Sequence, residues 1–395
     1  MRSLAVLIAT LLLAGCVRPS ADTRPPVGQP GPVQTGTPAP APPTVSAGPP
    51  VASLRIGADD ARGALASFVE SCPRLVSRTD ASRLTTGADW RAVCDTARAW
   101  PAGDARRFFE SEFETARLGD GRTFITGYFE PEIAGSRARQ PGYDSPVYAL
   151  PPDLLRAWPA DIAPEQRSGN PPLGRLDEDG RHVPYFDRAA IEDGALAGRG
   201  LEIAWAADPV EFFFLQIQGS GLLRLPDGST MRIGYAGQNG RGYVGIGSLM
   251  RERGLIGEGP GQYPGSMQGL MRYIRENPEA GAALMRENPS WVFFRENTGD
   301  GPLGSLNVPV RSGSSVATDP AFITLGAPVW LDVEHDVADG LWIAQDTGGA
   351  IKGVNRFDTF WGNGPEARTI AGGMSSRGHA LVLLPRGVLA RLLAR

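Results

Sequence analysis

From Asp59 onward the chain switches between a helical and a strand-like hydrophobic period. Leu65, Phe68 and Val69 recur at helical spacing behind Asp59-Asp60, a capping pair, and the pattern stops before Pro73. A second helix is expected over 82–100, with Trp90, Val93 and Ala97 on one side. A third starts at Pro101 and carries Phe108, Phe109 and Phe113. These large rings read as core. Residues 123–133, TFITGYFEPEI, form a strand run with a polar centre. Glu130 inside it is unusual, because a carboxylate in an apolar strand costs energy unless it is paired or functional. It is either a site residue or a charge at a strand end.

Residues 140–201 are rich in Pro, Gly and loops, with Asp187 as N-cap of a short helix over 189–196. Strands are expected at 202–205 and at 211–218, EFFFLQIQ, running into Gly219-Ser220-Gly221. On such a strand Gln216 and Gln218 share one face, where two amides suit sugar hydroxyls or form an ordinary polar face. A hairpin follows over 222–235, and 234–240 is a glycine-spaced loop holding Gln238 and Asn239. That loop lacks the lysine of a phosphate loop. Helices are expected near 246–253, 266–276 and 278–287. From Trp291 the pattern is mostly β, with short strands at 308–310, 327–333, 341–345, 350–354 and 380–384 between Gly-rich turns. That spacing favours a small closed barrel over a parallel sheet. The tail after Pro385 reads as a short amphipathic helix.

The first 16 residues run from Arg2 through an apolar stretch to Leu13-Ala14-Gly15-Cys16. About ten apolar residues are too few to span a bilayer, which needs ~20, so this is a signal peptide. The ending LAGC resembles a bacterial lipoprotein signal with Cys16 as the lipidated residue. Val17 in place of an aspartate points to the outer membrane, with the body facing the periplasm of a Gram-negative bacterium. Residues 17–50 contain eleven prolines and read as a disordered tether. Cys72 and Cys94 remain, as one disulfide or as two buried thiols.

With 395 residues the chain exceeds one typical domain, and 42% apolar content supports a sizeable core. Net charge is −4 with the signs interspersed, so no nucleic-acid footprint is present. His182, His335 and His379 have no ligand spacing, and neither a metal nor another cofactor is expected.

The richest stretch for chemistry is 344–371, AQDTGGAIKGVNRFDTFWGNGPEARTIA. Asp346 precedes a Gly348-Gly349 turn, Lys352 is the sole lysine of the chain, and Asp358 falls between Phe357 and the pair Phe360 and Trp361. A carboxylate beside large rings has its charged form disfavoured, as a general acid at neutral pH requires. The plainer reading makes both aspartates turn or capping residues. A third, Asp319, ends SSVATD before Pro320.

ENPSWVFFRE, SVATD, AQDTGGAIKG, Phe357-Asp358 and GNGPEA resemble the MltA family, the membrane-bound lytic murein transglycosylases A. GYFEPEI, FFLQIQGSG and GYAGQNGRGY match further segments in the right order, over about 123–384. Gly245 and the run 323–326 depart from the expected pattern away from the aspartates. The resemblance implies an α+β protein: a double-psi β-barrel domain with an inserted smaller β domain and a groove between them for a glycan strand. The expected parts are 51–135 for the N-terminal helices and first barrel strands, 136–287 for the insert, and 288–395 for the rest of the barrel with its three aspartates. It further implies cleavage of the β-1,4 bond from N-acetylmuramic acid to N-acetylglucosamine with formation of a 1,6-anhydro ring. Asp358 would be the acid, Asp346 its catalytic partner and Asp319 a support. Glu130, Tyr128, Gln216, Gln218, Ser220, Gln238, Asn239 and Lys352 are the candidates for glycan contacts. Peptidoglycan is the expected partner, with murein synthase complexes beside it. An expansin-like binding module and a hydrolytic muramidase are the competing functions; fold does not choose among them.

Overall fold

The computed structural model describes residues 43–394. Cys16 and most of the Pro-rich stretch lie outside the described residues. Three helices come first: α1 (Ala58–Leu75), α2 (Gly87–Ala99) and α3 (Ala105–Glu112). Helix α1 continues through Pro73, beyond its expected end, at the cost of the hydrogen bond that another residue there would give to the Val69 carbonyl. Val45–Ala47, within the expected tether, is instead an edge strand, β1, paired with β2 (Phe113–Leu118).

Cys72 on α1 and Cys94 on α2 form a disulfide, which decides between the two readings of that pair. It closes a loop of 22 residues, which constrains the unfolded chain by about 3 kcal/mol. Replacing both cysteines by serine should lower unfolding stability by about that amount in a urea titration. An unchanged midpoint would mean that the aromatic packing of Phe68 on Trp90 and Phe113 holds the helices by itself.

Strand β3 (Arg122–Glu130) leads out of this region, and the chain returns to it only at β13. The intervening segment starts with β4 (Glu132–Ser136), β5 (Ser145–Tyr148), β6 (Leu155–Arg156), β7 (Leu173–Leu176) and β8 (His182–Pro184). The short α4 (Arg188–Ala190), β9 (Glu202–Ala206), α5 (Pro209–Gln218), β10 (Ser220–Arg224) and β11 (Thr230–Gln238) follow. Helices α6 (Ile246–Glu252), α7 (Met267–Glu276) and α8 (Pro278–Arg286) precede β12 (Val292–Glu296). Six of these strands form one sheet in the order β12-β11-β10-β4-β9-β5, and α5 to α8 build a second apolar cluster with Phe213, Met250 and Ile274.

Residues 211–218 are therefore helix, not strand. Asp208 caps α5 by accepting from the N–H groups of Val210 and Glu211, Pro209 occupies the first turn, and Gly219 closes the end at φ +80. Phe212 to Gln216 are all buried. A helix buried all round reads as an unbroken apolar run and loses its period. The loop expected over 234–240 is also mostly strand, since β11 runs to Gln238 through a bulge between Tyr235 and Gly237.

The return segment supplies β13 (Ser315–Thr318), β14 (Pro328–Val333), β15 (Gly340–Asp346), β16 (Arg356–Asn363), α9 (Gly364–Gly373), β17 (Ser375–Pro385) and α10 (Val388–Leu393). Its pairings close on themselves: β3-β16-β13-β15-β14-β17, with β17 bonded back to β3. A six-stranded closed barrel results, and its core merges with the N-terminal helices. No strands form at 308–310 or 350–354. Residues 348–355 make turns instead, with Gly353 at φ +103 and Asn355 at φ +56.

Candidate active site

Strands β3, β13, β15 and β16 meet where the aspartates gather. Asp358 lies on β16 opposite Ala317 of β13 and Thr126 of β3, while Asp346 ends β15 beside Ala317. The pleat sends Phe357 and Thr359 to the buried side and Asp358 to the half-buried one. Phe357 is thus not the ring beside Asp358, as expected from the order of residues, and Trp361 packs on Trp342 at 5.5 Å. The nearby apolar surface comes from Phe360 and Tyr128, whose rings lie 4.9 Å apart at a tilt of 46°.

The two carboxylates occupy different environments. Asp346 accepts four hydrogen bonds: from Ser305 N (2.8 Å), Ser305 Oγ (3.0 Å) and Thr347 N (2.8 Å) at Oδ1, and from Tyr128 Oη (3.1 Å) at Oδ2. Burial pushes its pKa up, and those donors oppose the shift by favouring the anion. Asp358 is raised to about 6 by burial, which outweighs the Thr126 hydrogen bond and the Arg356 charge, with Asp346 adding to the rise. With four donors against one, the negative charge belongs on Asp346 and the proton on Asp358.

The position of that proton follows from its neighbours. Arg356 Nη2 donates to Thr126 Oγ1 at 2.9 Å, so the single hydroxyl hydrogen of Thr126 goes to Asp358 Oδ1 at 2.5 Å. Oδ1 is thereby an acceptor, and Oδ2 carries the acid proton. Removing the hydroxyl in Thr126→Val should raise the Asp358 pKa further. The descending limb of the kcat/KM profile then moves to higher pH than in the parent, where it starts at about 6. A limb that stays in place would detach Thr126 from the acid.

Other candidate residues sit as follows. Asp319 accepts from Ala321 N and from Gly353 N at 2.9 Å, which pins the turn between the two acid-bearing strands. Gln218 lies at the seam between barrel and insert, its Oε1 accepting from Phe129 N at 3.0 Å. Together with Thr126, Phe129, Phe214, Tyr243 and Met374 it lines a cavity of about 220 Å³ between the two parts. Ser220 begins β10. Gln238 accepts from Gly240 N, and Lys352 is exposed.

Three candidates are corrected. Gln216 is buried, with Oε1 accepting from Arg188 Nη2 at 2.6 Å, so it braces the insert and does not face a groove. Asn239 is 0% exposed, and its amide bonds Phe186 O, Pro289 O and Trp291 N. Glu130 is 1% exposed and forms an ion pair with Arg232 at 2.8 Å.

Sequence reasoning missed Thr126, Arg356, Ser305 and Tyr243. Arg356 had a signal, since it shares a strand face with Asp358 at i, i+2. Tyr243 comes from the insert, and its pKa is raised by burial and then by the Asp358 charge.

Comparison with known proteins adds to this geometry. Residues 124–295 match the MltA specific insert domain, and 314–384 match the 3D domain. The membrane-bound lytic murein transglycosylase A of Vibrio cholerae is 31% identical over 300 residues, 72% of this chain and 73% of that one. A crystal structure of a membrane-bound lytic murein transglycosylase from Agrobacterium tumefaciens aligns at TM-score 0.76 and 30% identity, covering 88% of this chain and 99% of its own. The E. coli MltA structure with bound chitohexaose aligns at TM-score 0.60 and 26% identity, covering 87% and 95%.

Proposed function

The chain belongs to the family of membrane-bound lytic murein transglycosylases A, and from that premise we propose how its site cuts peptidoglycan. It is a lytic transglycosylase acting on the β-1,4 bond between N-acetylmuramic acid and N-acetylglucosamine. The observation that carries this reading is a pair of neighbouring carboxyl groups in unlike settings: Asp346 accepts four hydrogen bonds, while Asp358 accepts one from Thr126 and has its pKa pushed up to about 6 by burial.

Asp358 Oδ2 gives its proton to the glycosidic oxygen as the bond from C1 breaks. The Asp346 anion stabilises the positive charge that develops on the ring. The Asp358 carboxylate then takes the proton of the C6 hydroxyl, and O6 bonds to C1 of the same sugar. No water enters, and the acid is restored for the next turnover. Intramolecular attack needs no second reactant to be fixed in place. A hydrolytic muramidase uses its second carboxylate as a base on water or as a nucleophile on C1, and either role needs a carboxylate with free lone pairs. The donors on Asp346 suit it poorly to both.

The barrel–insert cavity, with Tyr243, Phe129 and Gln218 around Thr126, is the natural place for the sugar ring; the E. coli relative binds chitohexaose. Ser220, Gln238 and Lys352 remain the outer candidates for glycan contacts, while Tyr128, buried with its hydroxyl on Asp346, acts on the substrate through that carboxylate. Lipidation at Cys16 would anchor the chain in the outer membrane, the Pro-rich stretch giving the body its reach into the periplasm, where murein synthases work. Among the described residues no helix is long and apolar enough to cross a membrane. Incubation of the purified protein with intact sacculi should release soluble fragments. Tight binding to sacculi with no release would replace the enzyme by a binding module.

A further inference from the structure

The face that carries Asp358 continues away from the cavity as ordered rows across three strands. Asp358, Thr126 and Ser375 form one row by register; Arg356, Phe124 and Arg377 form the next, two residues along. Both arginines stack on Phe124, with guanidinium carbons 4.9 Å and 5.2 Å from the ring centroid. Arg356 is half-buried and committed, since it bonds Thr126 and the Phe124 and Phe357 carbonyls. Arg377 differs: it is exposed, and among the described residues no side-chain hydrogen bond or ion pair engages it. Two of the acids around it are engaged elsewhere. Asp332 pairs with Arg55 and Asp120 with Arg122, and the exposed Glu334 meets Arg377 only through backbone, its N–H bonding the Arg377 carbonyl.

We propose that Arg377, held over the Phe124 ring one row from the catalytic acid, binds a carboxylate of the peptide stem on the muramic acid being cut. This rests on the lytic reading of the site. The sugar whose C1–O bond breaks must lie within hydrogen-bond reach of Asp358, and its lactyl group starts the stem from that same ring. Two strand spacings and one two-residue step put the Arg377 backbone about 12 Å from that of Asp358. A stem extending about 3.5 Å per residue covers this in three to four residues. Muropeptide stems carry several carboxylates, and a planar guanidinium fork with free donors is their natural partner. The cation–π contact with Phe124 restricts where that fork lies before substrate arrives.

The test compares glycan strands bearing stems with the same strands after enzymatic removal of the stems, using the full chain. The ratio of kcat/KM on the first substrate to that on the second should fall about ten-fold in Arg377→Glu and about three-fold in Arg377→Gln, as loss of a charge-assisted bond would give. Circular dichroism confirms that both variants are folded. A ratio unchanged in both variants, or equal losses on the two substrates, overturns the proposal while leaving the lytic reading intact. A parent protein that releases nothing from either substrate overturns that reading and the stem site with it.

Discussion

Asp358→Asn should lower kcat/KM on sacculi by about 10³-fold or more, at the upper part of what a positioned general acid contributes. Asparagine keeps the shape and an oxygen for the Thr126 hydroxyl, but it has no proton to give and no charge with which to take one back. Both halves of the proposed cycle stop together, so no second group rescues the reaction. Affinity for chitooligosaccharides should stay within a few-fold of the parent. The same change should stabilise the fold at neutral pH. The Asp358 pKa is raised from 3.8 to about 6, so its contribution to stability is complete below about pH 4 and is lost as pH rises through 6. Asparagine has no such loss. The variant should match the parent in thermal unfolding near pH 4 and exceed it near pH 8, by about 2–3 kcal/mol. Loss of activity with unchanged or lower stability at pH 8 would indicate that Asp358 does not sit in the low-polarity setting described.

Glu130→Ala should destabilise the protein by about 3–5 kcal/mol, the cost of leaving one member of a buried ion pair alone. Glu130 ends the last barrel strand before the insert, and Arg232 reaches it from β11. Both oxygens are engaged, Oε1 by Nε at 2.8 Å and Oε2 by Nη2 at 3.4 Å, so truncation strands a guanidinium that is only 23% exposed. The double variant Glu130→Leu with Arg232→Met should recover most of the loss in a urea titration, because an apolar pair avoids desolvating two charges. Should Glu130→Ala instead fold normally and raise KM, Glu130 contacts the glycan and the ion pair is incidental.

Much of the site was legible before the fold. Asp346 stood out for the Gly348-Gly349 turn that follows it, and Asp358 for the rings near it in the chain. The closed β arrangement followed from short strands at regular spacing. What sequence could not supply was the partner across the barrel. Thr126 and Asp358 are 232 residues apart and meet only because β3 and β16 pair in parallel. Of the expected rings Phe360 faces the site with Tyr128, whereas Phe357 does not, for a local reason: neighbours in sequence point to opposite faces of a strand, so Phe357 turns inward. Gln216 misled because five buried residues in a row hid the helical period of α5, although Asp208-Pro209 and Gly219 already spelled a helix start and stop. Glu130 and Asn239 show the complementary error, in which polar residues held in the interior by specific partners resemble site residues when only their neighbours in the chain are visible.

The central claim is that Asp358 completes the reaction without water, and digestion of sacculi in heavy-oxygen water followed by mass spectrometry of the released muropeptides tests it most directly. The account predicts 1,6-anhydro ends that carry no heavy oxygen and are lighter by one water than reducing ends. Reducing ends labelled at C1 would contradict it and make the protein a hydrolase.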